Sequence, residues 1–222
     1  MNSDILNLIL SYSNEKNEVN ILISMINNNE KVTELYYCES AVEASKFPNL
    51  YALDIESSLE DLSPLKNLTR MEKLNLNYYN GDLSPLENMV LMERLNISWF
   101  QGDLSPLKNM VYMKEINLSC FSGDISPLQN MILIEKLRLG WFIGDLSPLQ
   151  NMVLMKELNL RVFTGDLSPI QNMTLIEKLD LYYFSDDSSV VRFVTRSMLN
   201  MRELKINKKL LSLEELKSWR KI

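Results

Sequence analysis

Histidine is absent from these 222 residues, and cysteine occurs only twice, at Cys38 and Cys120. The first absence removes the commonest general base and the commonest metal ligand, and two cysteines build neither a zinc site nor a disulfide framework. Serine is plentiful, but the chain has no imidazole to activate it as hydrolases do. The sequence therefore reads as a protein with no enzymatic activity, no cofactor and no metal. No apolar run reaches the roughly 18 residues that a membrane span requires. Met1-Asn2-Ser3-Asp4 also lacks the positively charged opening of a secretory signal. Together these features lead to the expectation of a cytoplasmic protein with no membrane partner and with both thiols reduced.

An excess of positive charge is missing as well. The net charge of -6 divides unevenly: residues 1–60 carry -7, residues 61–187 carry -5 and residues 188–222 carry +6. Phosphate binding over a long surface would be opposed along most of such a chain, so nucleic acid is excluded as a partner. The basic tail reads as a solvated end cap.

What the chain does have is a repeat. Asp-(Leu/Ile)-Ser begins at Asp61, Asp82, Asp103, Asp124, Asp145 and Asp166, each 21 residues after the last. One unit, starting at Met92, reads M-E-R-L-N-I-S-W-F-Q-G-D-L-S-P-L-K-N-M-V-Y, and the units from Met71, Met113, Ile134, Met155 and Ile176 follow it. A divergent unit carries Leu50, Leu53 and Ile55, and weaker matches flank the array at Val32-Leu35-Tyr37 and Met201-Leu204-Ile206. About nine coils result.

Each coil has two halves. In Leu74-Asn75-Leu76-Asn77 apolar and polar residues alternate, which predicts a short strand with one buried face. Ser-Pro-Leu-x-Asn-Met then predicts a single helical or 3₁₀ turn, with the serine as its cap and the proline at the position whose φ already suits a helix. Identical return paths make every strand run the same way, so the sheet is parallel. Gly81, Gly102, Gly123, Gly144 and Gly165 mark the corner between the halves, where a positive φ or a close backbone approach is the usual requirement. About eight side chains per coil are expected inside, for example Met92, Leu95, Ile97, Phe100, Leu104, Leu107, Met110 and Tyr112. One coil alone cannot offset the conformational entropy of ordering its 21 residues, so stability comes from stacking and the ends need covers.

The spacing L-x-x-L-x-L followed by D-(L/I)-S-P-L-x-N resembles the leucine-rich repeats of the internalin type. That resemblance implies an α/β leucine-rich repeat solenoid, with a parallel β-sheet on the concave face, short helical or 3₁₀ turns on the convex face and helical caps. The sequence departs from the family at Phe-x-Gly-Asp, which stands where Asn-x-Ile-x-Asp is usual and is one residue shorter. An aromatic column (Tyr79, Phe100, Phe121, Phe142, Phe163, Phe184) replaces the family's asparagine ladder, and a buried asparagine column is expected instead at Asn67, Asn88, Asn109, Asn130, Asn151 and Asn172. The repeat wording, rich in methionine and asparagine, is also similar to short leucine-rich repeat proteins of large insect DNA viruses, the entomopoxvirus type. The chain is thus divided into an N-terminal helical cap (1–31), the solenoid (32–208) and a C-terminal helical cap (209–222).

Outward strand positions form columns. One reads Asp54, Asn75, Asn96, Asn117, Arg138, Asn159, Asp180; the next contains Glu56, Asn77, Ser98, Ser119, Gly140, Arg161 and Tyr182. Such an extended concave face is where a solenoid meets a partner. A third column is Tyr78, Trp99, Cys120, Trp141, Val162, Tyr183. Strict alternation would point it inward; the bend implied by the family resemblance turns the following Phe column in and leaves these rings on the rim, where Trp and Tyr serve as interface anchors. The candidate protein-binding residues are therefore Asn75, Tyr78, Asn96, Trp99, Asn117, Arg138, Trp141, Asn159, Arg161, Tyr182 and Tyr183, in a chain expected to be a monomer. The charges Glu115, Lys136, Glu157 and Lys178 alternate in sign from coil to coil, and Lys114, Glu135, Lys156 and Glu177 alternate in the opposite phase, an arrangement that fixes strand register. The aspartate column supplies one carboxylate per coil, too few for calcium, and is read as holding backbone N–H groups in the turn.

Three functional readings follow. The first is a non-enzymatic scaffold that binds a protein partner. In the second, Asp4-Ile5-Leu6-Asn7-Leu8-Ile9-Leu10-Ser11-Tyr12 is similar to the opening helix of an F-box, which implies an adaptor that presents a bound protein to a ubiquitin ligase. That segment lacks the usual proline and aromatic-basic end, and a plain hydrophobic cap on the first coil is the simpler reading. In the third, the acidic head of one copy meets the basic tail of another.

Overall fold

The computed structural model describes residues 32–38, 40–55, 61–184, 198–206, 209–211 and 214–215. The F-box-like segment, Glu56 and nearly all of 212–222 lie outside the described residues. Among the described residues ten strands form one open sheet in sequence order: β1 (Glu34–Cys38), β2 (Ala52–Ile55), β3 (Lys73–Asn75), β4 (Arg94–Asn96), β5 (Glu115–Asn117), β6 (Lys136–Arg138), β7 (Glu157–Asn159), β8 (Lys178–Leu181), β9 (Glu203–Ile206) and β10 (Lys209–Leu211). β1 to β9 are parallel and in register by the repeat, with Leu74 opposite Leu95 and Leu95 opposite Ile116. β10 runs antiparallel on β9, with Leu211 opposite Leu204. The segment assigned to a helical C-terminal cap therefore opens with a strand. Each strand is three to five residues long because only its central apolar residue must point inward before the chain turns away.

Between strands the chain returns through 3₁₀ turns that start at Ser63, Ser84, Ser105, Ser126, Ser147 and Ser168, each with proline next. The link from β1 to β2 instead holds a short α-helix, α1 (Ala41–Ala44), capped by Ser40. Serine is not the cap of the 3₁₀ turns. The backbone N–H of each of those serines donates to the aspartate two residues earlier, at 2.8 Å in all six coils. Each of these aspartates is held below the usual carboxylate range by its hydrogen bonds from the serine.

The core is a stack of closely similar layers. In the coil of β4, Met92, Leu95, Ile97, Phe100, Leu104, Leu107 and Met110 are all buried. Tyr112 is not among them: it is 52% exposed, and Met113 takes the inward place. The expected buried asparagine column is also exposed, from Asn67 to Asn172. The cause is the period of the return arc. A 3₁₀ path eclipses side chains three apart, so Leu83, Leu86, Met89 and Met92 line up inside, and Asn88 falls one step out of phase. At the first coil a bulge between Leu35 and Cys38 sets Cys38 against Ile55, so Cys38 fills the inward slot and Tyr37 points out.

The corner glycines have a different reason from the expected one, since no described glycine has a positive φ. A Cβ on Gly102 would lie 2.6 Å from Cζ of Phe100, and the other four corners repeat this geometry. Glycine is required there because the ring two residues earlier folds beneath it. Those rings form the aromatic column in the core, with Phe100 and Phe121 stacked at 6.3 Å and Phe142 and Phe163 at 6.5 Å. Tyr79, which stands where other coils have phenylalanine, donates its hydroxyl to the Asp82 carbonyl at 3.0 Å. Burial, aided by the charge of Asp82, pushes its phenol up to about 12.

Candidate interaction surface

The strands end in a sharp turn, and that turn builds the rim. The N–H of Phe100 donates to the Ile97 carbonyl at 3.2 Å, and the same bond closes each coil from Tyr79 to Phe184. The third residue of every such turn has a positive φ: Tyr78 63°, Trp99 70°, Cys120 65°, Trp141 68°, Val162 68° and Tyr183 68°, with Tyr37 at 55° in the first coil. Glycine or asparagine normally occupies this place, and a bulky or β-branched residue there is an outlier. The left-handed residue throws its own side chain outward and drops the following ring into the core. The bend implied by the family resemblance is therefore present. Trp99 is 53% exposed, Trp141 and Tyr78 are each 58% exposed, and Cys120 and Val162 are half-buried.

The rim aromatics fall into groups. Tyr78 and Trp99 stack with centroids 6.1 Å apart. Arg161 lies over Tyr182 at 4.6 Å and near Tyr183 at 5.9 Å, and the two tyrosine rings meet edge to face. Trp141 stands between the groups, two coils from Trp99 and hence about 10 Å along the sheet. Two rim members were missed by reading the sequence. Tyr37 is displaced by the bulge, and Ile143, 74% exposed, occupies a position held elsewhere by Gln101, Ser122 and Thr164. Nothing in the repeat pattern marks Tyr37, whereas an isoleucine in a polar column was a readable signal.

The asparagines of the concave face are partly committed to the fold. Asn75 donates to Asp54 at 3.0 Å and Asn96 donates to Asn75 at 2.8 Å. The side-chain oxygens of Asn96, Asn117 and Asn159 each accept the backbone N–H two residues on, at 3.0 to 3.2 Å. Asp180 does the same for Tyr182. These bonds compete with the ladder and end each strand. Ser98 is buried and bonds through its hydroxyl to Asn77.

Arg138 divides the concave face into two grooves. The first is lined by Tyr36, Asp54, Asn75, Arg94, Asn96 and Asn117, and the second by Glu157, Asn159, Lys178, Asp180 and Lys205. Arg138 itself leans toward Glu115 at 3.7 Å. Lys136 and Lys178 both pair with Glu157, at 3.6 and 3.2 Å. Burial acts to raise the Glu157 carboxyl, but its bonds with Lys178 and the charge of Lys136 together hold it below its ordinary value. Arg94 has no ion pair among the described residues, although it lies beside Glu115 in register. Among the described residues no cluster of three or more metal-ligating side chains occurs, and no helix is long and apolar enough to cross a membrane.

No family model matches this sequence, and neither does any curated protein. Solved structures do. An internalin (inlF) from Listeria monocytogenes is similar, with a TM-score of 0.72 and 22% identity over 87% of this chain; the chain spans 60% of that one. An internalin C2 (inlC2) from the same bacterium gives a TM-score of 0.67 and 21% identity, covering 81% of this chain and 82% of its own. The plant peptide hormone receptor RGFR1, in complex with RGF2, gives a TM-score of 0.61 and 15% identity, covering 80% of this chain and 32% of that one. At such identities the likeness establishes the architecture: this chain folds as a leucine-rich repeat solenoid.

Proposed function

We propose that this protein is a non-enzymatic scaffold that binds a protein partner through its concave sheet and aromatic rim. One observation carries the reading: six consecutive coils, and Tyr37 before them, hold a residue other than glycine at a left-handed φ. An L-residue in that conformation costs about 1–2 kcal/mol. Backbone strain of this kind clusters at functional sites, and here it holds tryptophan and tyrosine rings half exposed above a polar sheet. Rigid aromatics of this type are the usual anchors of protein interfaces. The polar grooves beside them vary from coil to coil, which supplies selectivity. A peptide hormone receptor of the same architecture has been solved with its bound RGF2. Neither cysteine forms a disulfide, which suits a reducing cytoplasm, and the wording of the repeat supports a viral origin.

The test replaces Trp99 and Trp141 together by alanine and compares affinity capture with the parent chain. The double variant should lose the specific partner while its melting temperature stays within a few degrees of the parent. A control at the exposed Asn88, replaced by alanine, should retain the partner. Equal capture by all three proteins would place the binding surface elsewhere.

A further inference from the structure

The rim is not the only exposed apolar feature among the described residues. On the opposite edge of the solenoid, in the turn just before each strand, Val90 and Leu91 begin a second line of exposed apolar side chains. Val111 and Tyr112, Ile132, Val153 and Leu154, and Leu175 continue it through successive coils, and Leu199, 66% exposed, ends it. One coil earlier the equivalent residues are Thr69 and Arg70. The line therefore spans six coils, about 24 Å at the strand spacing. A contiguous apolar strip of this extent is unusual on a monomer.

Charges bordering the strip identify what covers it. Glu93, Lys114, Glu135, Lys156, Glu177 and Arg202 occupy equivalent positions in the same six coils and alternate strictly in sign. Their neighbours, from Arg94 to Glu203, alternate in the opposite phase, so the border is a checkerboard. The alternation stops where the strip stops, because Glu72 repeats the sign of Glu93. Within the chain the charges bond in twos, Lys114 with Glu93 at 2.5 Å, Lys156 with Glu135 at 2.7 Å and Arg202 with Glu177 at 3.8 Å. Every one of these side chains still keeps about a third or more of its surface exposed.

An alternating row with an even number of members is complementary to itself when turned end for end. Set two copies antiparallel, with the two-fold axis between the coils of Glu135 and Lys156. The first coil then meets the sixth, the second the fifth and the third the fourth. Glu93 faces Arg202, Lys114 faces Glu177 and Glu135 faces Lys156, every pair opposite in sign, while Ile132 meets Val153 and Leu154 across the axis. A parallel in-register pairing would set like charges against each other. We propose that this edge seats a second copy of the chain in a closed, isologous two-fold dimer. In-chain pairing alone accounts for the alternation of sign; it does not account for an apolar strip that begins and ends with it. The dimer leaves both concave faces and both aromatic rims open, so it is independent of the function proposed above. It also departs from the monomer expected from the sequence.

Sedimentation velocity of the full chain over a range of micromolar concentrations tests the proposal. The expected result is a monomer–dimer equilibrium with no larger species. Tyr112→Glu combined with Ile132→Glu should leave a folded monomer, since both side chains are already half exposed. Glu135→Lys and Lys156→Glu should each weaken dimerisation about tenfold when sedimented alone, because each sets like charges across the axis, and a mixture of the two should regain the parent affinity. Rescue by mixing cannot arise from pairing within one chain. The proposal is overturned by a parent chain that stays monomeric throughout, by dimers indifferent to the Tyr112 and Ile132 changes, or by a mixture no tighter than its components. Species growing beyond the dimer would also overturn it, and would point to head-to-tail contact instead.

Discussion

Gly102 and Phe100 meet so closely that the coil has no room for a methyl group between them. Gly102→Ala should therefore destabilise the protein by about 1–3 kcal/mol, the usual penalty for overpacking a core, because the ring is stacked on Phe121 and has nowhere to retreat. Urea unfolding at constant m-value would show it, and a change below about 0.5 kcal/mol would mean that the ring yields. The recurring glycine was readable as a corner, but its cause was not. That cause depends on the sign of φ at Trp99, which decides whether the next ring falls inside or outside the coil. The same ambiguity let Tyr112 pass for a core residue: Met-Val-Tyr-Met has apolar side chains at every position, and only the three-residue period of the return arc selects the two methionines.

At the scale of the element, each return arc is held at its start by a carboxylate that accepts from the turn. In the folded state these aspartates titrate below their ordinary value, so their contribution to stability is complete above that value and is lost as pH falls through the lowered folded value. The melting temperature should thus be nearly flat from neutrality down to about pH 5 and then drop below about pH 4. Replacing Asp103 and Asp124 by asparagine keeps an acceptor and removes two titrating groups, so the acid decline should become shallower; an unchanged slope would assign the decline to other carboxylates. This element was largely legible, since an aspartate two residues before Ser-Pro has an N–H within reach whatever the rest of the coil does. The strand was legible for the same local reason. The asparagine column was not, because its burial depends on the phase of the whole arc relative to the sheet.

For the whole molecule, every coil touches only its neighbours, and the alternating charges make the order of coils matter. Removing residues 92–112 joins Glu72 to Lys114 and keeps opposite charges adjacent. Removing residues 113–133 takes out a coil of the same size but sets Glu93 beside Glu135 and Arg94 beside Lys136. The second deletion should be less stable than the first by roughly 1 kcal/mol, measured by chemical unfolding at low salt, and the gap should close as salt is raised. Equal stability at low salt would mean that these surface charges carry no register information.

The equality of the coils has a consequence for inheritance. A gene that encodes variants of one 21-residue pattern in tandem invites unequal recombination between its own repeats, which adds or removes whole coils without disturbing the reading frame or the sheet. Within the six alternating coils, gain or loss of two keeps opposite charges adjacent, whereas gain of one, or loss of one from the interior of the row, places like charges side by side. The charge pattern thereby acts as a parity check on the length of the array, favouring descendants that differ by pairs of coils.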